Sequence, residues 1–155
     1  MILSTFQRST YRNGRRAATG LPKDDSLPKK RPAIAIIDDD ASVRAATNNL
    51  LSSHGYLVHT FASAEEFLQS ARSEDSSCVI ADVQMPAMSG LDLLNHMRAQ
   101  GYTAPFIFIT AFPEESVRAR ALKAGAICFL AKPFAGPALI KCIEGALNQY
   151  LGGIS

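Results

Sequence analysis

Six polar residues stand directly behind short apolar or β-rich runs of this chain. Asp38, Asp39 and Asp40 follow Ala33-Ile-Ala-Ile-Ile37, and Asp82 follows Cys78-Val-Ile-Ala81. Thr110 follows Phe106-Ile-Phe-Ile109, and Lys132 stands behind Ile127-Cys-Phe-Leu130. Carboxylates gathered in one place repel one another and take up protons unless a cation offsets them. Hard oxygen ligands without His or Cys favour Mg²⁺ or Mn²⁺. A lysine adds fixed positive charge and a threonine adds a hydroxyl donor. A cation, a lysine and a hydroxyl around one carboxylate suit a phosphoryl group, whose oxygens need neutralising in the transition state. The carboxylate can itself be the nucleophile and form an acyl phosphate. Asp82, alone behind its strand, is the candidate.

These residues meet only if the runs lie side by side. The strands are expected over 33–37, 56–60, 78–81, 106–109 and 127–130, each followed by a segment of helical period. The first, third and fourth are almost uniformly apolar, as central parallel strands are, while 56–60 alternates and reads as an edge. The first helix, 42–53, carries Val43, Ala46 and Leu50 on one face and stops at Gly55. Ser63-Ala-Glu-Glu66 reads as a capping box ahead of Phe67, Leu68 and Ala71. Leu91, Leu94 and Met97 line the third helix, which ends near Gly101. The fourth covers 114–124, with an acidic first turn and a stop at Gly125. The fifth starts near Pro137 and buries Leu139, Ile140, Ile143, Ala146, Leu147 and Tyr150. Five βα units predict an α/β fold, a doubly wound five-stranded parallel sheet with five helices. Ligands of such sheets bind beyond the carboxyl ends of the strands, where the polar residues stand.

The chain has 155 residues, 47% apolar and 19% charged, which suits one domain with a real core. The net charge of +2 hides an asymmetry. Residues 1–32 hold eight basic and two acidic residues, and the remainder holds eight basic and twelve acidic ones. Pro22, Pro28, Pro32, Gly14 and Gly20 interrupt the first segment, which reads as a basic, disordered extension. The domain is expected over 33–150, with a tail over 151–155. No apolar run reaches the length of a membrane span. Cys78, Cys128 and Cys142 form no Cys-x-x-Cys pair and read as small buried hydrophobes in a reducing, cytoplasmic setting. His54, His59 and His96 have no metal-ligand spacing.

From Ala33 onward the chain resembles the receiver domain of bacterial two-component response regulators, closest in style to receivers attached to LuxR-type output domains. The resemblance rests on four stretches in order: Ile36-Ile37-Asp38-Asp39-Asp40, Asp82-x-x-Met85-Pro86-x-x-Ser89-Gly90, Ile109-Thr110-Ala111 and Lys132-Pro133-Phe134. It implies the flavodoxin-like receiver fold, with Asp82 as the phosphoacceptor charged by a histidine kinase. It implies that Asp38 and Asp39 hold Mg²⁺ together with Asp82 and the backbone carbonyl of Gln84. It further implies that Thr110 is the switch hydroxyl, Lys132 the phosphate-binding lysine, Phe129 the rotating aromatic, and the Lys132–Pro133 bond cis. The output face would be the fourth helix, fifth strand and fifth helix, carrying Val117, Arg118, Lys123, Ile127 and Lys141. A downstream protein or a second copy of the chain would read it.

Each residue alone is weak. An aspartate behind a strand is commonly a helix N-cap, and Asp40, before Ala41-Ser42, is read as one. Gly90 alone is a loop residue and Phe129 alone a core residue; the conjunction at four strand ends carries the reading. Asp38-x-Asp40 also matches the Asp-x-Asp signature of haloacid-dehalogenase-type Mg²⁺-dependent phosphohydrolases, but no late acidic pair exists and Asp82 would be idle. A phosphorylation-independent adaptor is a further alternative, disfavoured by the intact acid set. The expectation is therefore a signalling module that catalyses only its own phosphorylation and dephosphorylation. The sequence holds no helix-turn-helix, and no direct DNA binding is expected.

Overall fold

The computed structural model describes residues 31–152, so the expected extension over 1–32 lies almost wholly outside the described residues. Five strands alternate with five α-helices: β1 Ala33–Ile37, α1 Ala41–Ser53, β2 Leu57–Phe61, α2 Ala64–Gln69, β3 Cys78–Asp82, α3 Gly90–Ala99, β4 Phe106–Thr110, α4 Glu115–Lys123, β5 Cys128–Ala131 and α5 Gly136–Gly152. A 3₁₀ turn, Ala71–Ser73, follows α2. All four strand pairings are parallel, in the order β2-β1-β3-β4-β5. The order reverses between β1 and β3, which makes their carboxyl ends the switch point of the sheet.

Alternation along each strand sorts the core into two layers. Ala35, Ile37, Val79, Ala81, Phe106 and Phe108 face α2, α3 and α4 through Phe67, Leu93, Leu94, Met97 and Ala121. Ile34, Ile36, Cys78, Ile80, Ile107 and Ile109 face α1 and α5 through Leu51, Leu139 and Ile143. Both layers are apolar because helices cover both faces, so β3 and β4 are buried along their whole length. The edge expected of the second strand is found, although the strand runs one residue later than 56–60 at each end.

Several local expectations need correction. In α1 the buried residues are Thr47 and Leu51, while Ala46 is exposed. Val43 and Leu50 of the expected face do pack, half-buried, against the core, so the buried stripe is wider than expected and only Ala46 falls off it. Ser63 caps α2 by accepting from Glu66 N–H, but the Glu66 carboxylate accepts from Ala62 rather than Ser63. The complete capping box lies instead at Ser89 and Asp92, opening α3. Leu93, not expected in the α3 stripe, is fully buried. The backbone of α5 continues through Gly152, past the tail expected from 151; the expected burial of Tyr150 falls outside the described side chains. Cys78 is buried and its thiol is pushed up to about 12 by that burial, but Cys128 and Cys142 are only half-buried.

Candidate functional site

The parallel register brings the strand ends level. Ile37 of β1 pairs with Ala81 of β3, and Asp82 pairs with Ile109 of β4, so Asp38, Asp82 and Thr110 end neighbouring strands. Lys132 follows β5, whose Ala131 pairs with Thr110. Asp38 and Thr110 are fully buried, and Asp82 is 6% exposed. The Lys132–Pro133 bond is cis.

Lys132 Nζ lies 2.8 Å from Asp38 Oδ2 and 2.8 Å from Asp82 Oδ2. Its hydrogen bond goes to Asp82; the contact with Asp38 is an ion pair outside hydrogen-bond geometry, which leaves Asp38 Oδ2 buried without an aligned donor. The other Asp82 oxygen accepts from Gln84 N–H at 2.9 Å. Burial raises the Asp38 carboxyl above its ordinary value, against the lowering from Lys132 and from the Asp40 N–H. Burial alone would lower the Lys132 ammonium, but its contacts with Asp38 and Asp82 outweigh this and raise it.

Asp38, Asp39 and Asp82 each offer a carboxylate oxygen within 4.8 Å of the others. Three carboxylates and one ammonium leave two negative charges in a partly buried space. A divalent cation cancels that excess, and the donor set is carboxylate oxygen alone, so the residues present fit Mg²⁺ or Mn²⁺. Asp40 does not join them. Its carboxylate is exposed and caps α1, accepting from Ser42 N–H and Ser42 Oγ at 2.9 and 2.6 Å, bonds that lower its pKa. The Asp-x-Asp phosphohydrolase reading, which needs Asp38 and Asp40 in one site, fails on this geometry.

Thr110 Oγ1 accepts from Phe112 N–H at 3.0 Å, and no hydrogen bond joins it to Asp82. Phe129 is half-buried beside the α2–α3–α4 layer and pairs with Phe108.

Comparison with known proteins agrees with this geometry. Residues 34–144 match the response regulator receiver domain family. The chain belongs to that family. The receiver is 39% identical to the transcriptional regulatory protein FixJ of Bradyrhizobium diazoefficiens over 116 residues, 75% of this chain and 57% of FixJ. It is 40% identical to the response regulator protein TodT of Pseudomonas putida over 122 residues, 79% of this chain and 54% of TodT. The chain thus spans a little over half the length of these curated relatives. Among solved structures, the response regulator StyR superposes with a TM-score of 0.72 at 42% identity, over 77% of this chain and 61% of StyR. The receiver is therefore a module of two-component signal transduction, and the phosphohydrolase alternative has no support. Among the described residues no helix is long and apolar enough to cross a membrane.

One contributor to the receiver's site, Arg44, escaped the sequence reading. Gly90, the last residue of the stretch that carries the resemblance, is the buried start of α3, pressed against the Asp82 carbonyl. Arg44, on α1, donates to the Asp38 carbonyl oxygen at 2.6 Å. It carried no signal, since a helix arginine six positions from an acid pair looks like any surface arginine. The expected output face also changes: Val117 is buried, while Arg118, Lys123 and Lys141 are exposed and Ile127 is half-buried.

Proposed function

We propose that Asp82 accepts a phosphoryl group from the phosphohistidine of a histidine kinase and that the charged site then alters a protein-binding face. The observation that carries this reading is the Lys132 ammonium at 2.8 Å from both Asp38 and Asp82, inside a three-carboxylate cluster. One Asp82 oxygen attacks phosphorus, the P–N bond breaks, and the imidazole leaves with its electron pair and takes a proton from solvent. Hydrolysis later breaks the acyl phosphate and returns the free carboxylate. The site itself performs both steps, and no other substrate is turned over.

Asp38, Asp39, Asp82 and the Gln84 carbonyl would hold the divalent cation, which neutralises phosphoryl oxygens when bound. Lys132 keeps its charge and follows Asp82 through the reaction, holding the phosphoryl group after transfer. The Thr110 hydroxyl can donate to a phosphoryl oxygen while its oxygen still accepts from Phe112, so its movement draws the loop after β4 along with it. Phe129 then turns into the space that Thr110 leaves. The face of α4, β5 and α5 responds, and a downstream protein or a second copy of the chain reads it. A groove of about 560 Å³ is lined by Lys132 together with Val43, Ala46, Leu50, Pro133 and Phe134.

The test is incubation with acetyl phosphate and Mg²⁺, followed by intact-mass analysis. The wild type should gain one phosphoryl group, labile to hydroxylamine, and Asp82→Asn should gain none. Equal labelling of Asp82→Asn, or labelling without any divalent cation, would refute the assignment.

A further inference from the structure

We infer that Arg44 is a positioning residue for the divalent-cation site: by holding the Asp38 carbonyl it sets where the Asp39 carboxylate stands. The inference rests on the cation-dependent reading of the site given above.

The three residues Asp38, Asp39 and Asp40 are held unequally. The Asp38 N–H donates to the Phe61 carbonyl at 3.1 Å, continuing the β1–β2 ladder. The Asp38 carboxylate accepts from Asp40 N–H at 2.9 Å and faces Lys132. Asp40 is locked as the cap of α1. Asp39 is exposed, and no hydrogen bond involving its side chain is found among the described residues, although it supplies one of the three clustered oxygens. Its carboxylate is therefore placed by the backbone alone. The peptide between Asp38 and Asp39 has one restraint on its carbonyl, the 2.6 Å bond from Arg44 Nη1, and rotation of that plane swings the Asp39 side chain.

The bond is well anchored from the other side. Arg44 sits in the first turn of α1, its own N–H bonded to the Asp40 carbonyl at 3.0 Å, and it is half-buried. Helix and acid loop thus form one closed unit, with the guanidinium spanning it. Arg44 meets the site through the Asp38 backbone carbonyl, and no bond from it to a carboxylate of the cluster is found among the described residues. The role is geometric, like that of outer partners which orient metal ligands.

Mg²⁺ titrations by calorimetry and by amide NMR shifts test this on the full chain in four forms: wild type, Arg44→Met, Asp39→Ala and the double variant. Methionine keeps the apolar stem and removes the donor. Arg44→Met should weaken Mg²⁺ binding about tenfold, the scale seen for outer-partner removal. In the Asp39→Ala background the same change should cost less than about twofold, because Arg44 acts through Asp39, whereas independent sites would show the full loss again. Arg44→Lys, which restores a single donor, should recover part of the loss and guards against misfolding of the methionine variant. Wild-type affinity in Arg44→Met, or an equal loss with and without Asp39, would overturn the inference while leaving the receiver reading intact. A wild type that binds no Mg²⁺ would overturn that reading and this inference together.

Discussion

Asp38 is held in the site at a cost to the fold. It is fully buried, its carboxyl is raised chiefly by that burial, and its ion pair with Lys132 only partly offsets the shift. A raised acid favours folding most when protonated, so this contribution is present at low pH and is lost as pH rises through the folded value. At neutral pH the ionised Asp38 works against stability. Asp38→Asn, which keeps an oxygen for the Asp40 N–H, should therefore melt higher than wild type at pH 7, by roughly 2 to 6 °C for each kcal/mol relieved. The gain should shrink on acidification, as the wild-type carboxyl takes up its proton. Mg²⁺ should narrow it too, by stabilising the wild type more than the variant. Thermal melts across pH with and without Mg²⁺ check this; a gain that grows on acidification would show that Asp38 is not the strained group.

The connection from β3 to α3 decides the position of Asp82. Val83 N–H continues the ladder to the Ile109 carbonyl, Gln84 N–H bonds the Asp82 carboxylate, and Gly90 N–H returns to the Val83 carbonyl. Ala87 takes a left-handed conformation, φ +68°, a cost that an L-residue bears only where the surrounding contacts impose it. The loop thereby doubles back until the start of α3 touches the end of β3. A methyl at Gly90 would collide with the Asp82 carbonyl oxygen and approach Phe108 Cε1 at 2.9 Å. Gly90→Ala should therefore destabilise by about 1–3 kcal/mol and slow phosphorylation, since the obstructing atom belongs to the acceptor's own backbone. Gly145→Ala is the control: its Cβ meets nothing within 4 Å, and it lies inside α5, so it should be neutral or stabilising by up to about 1 kcal/mol. Urea unfolding of both variants separates a steric effect at Gly90 from a general penalty for alanine.

At the scale of the molecule, the site and the face that would report on it are joined by β4 and β5. Thr110 ends β4 beside Asp82, and Phe129 pairs with Phe108 one strand over. β5 is an outer strand, bonded to β4 on one side, and is half-buried over most of its length. Such an element shifts at lower cost than β3 or β4, which are buried throughout. Beryllofluoride with Mg²⁺ should therefore perturb NMR shifts over residues 114–148 and tighten self-association or partner binding, while Thr110→Ala weakens that response and still allows phosphorylation of Asp82. Unchanged shifts and an unchanged sedimentation profile with beryllofluoride would favour the adaptor reading instead.

The edge position of the second strand, the two-faced sheet and the polar set at its carboxyl edge were legible in the sequence. Uniformly apolar runs mark strands covered on both sides, and a polar residue directly behind such a run can only emerge at the strand's end. Asp40 was legible as a cap for a local reason, because its partners lie two and three residues away. What the sequence could not supply depends on contacts between distant segments or on choices that local pattern leaves degenerate. On α1 Val43 and Leu50 pack as expected, but Ala46 and the buried Thr47 are adjacent positions that only the sheet distinguishes. Val117 passed for a surface residue because a single valine does not say which neighbour covers it. The grip of Arg44 on the Asp38 carbonyl, the backbone that excludes a side chain at Gly90, and the position of Lys132 between Asp38 and Asp82, fifty residues apart from the latter, are set only when strands and helices close into one body. Composition and periodicity specify which groups arrive at the edge of the sheet; tertiary packing alone decides the ångström-scale distances that turn those groups into a site.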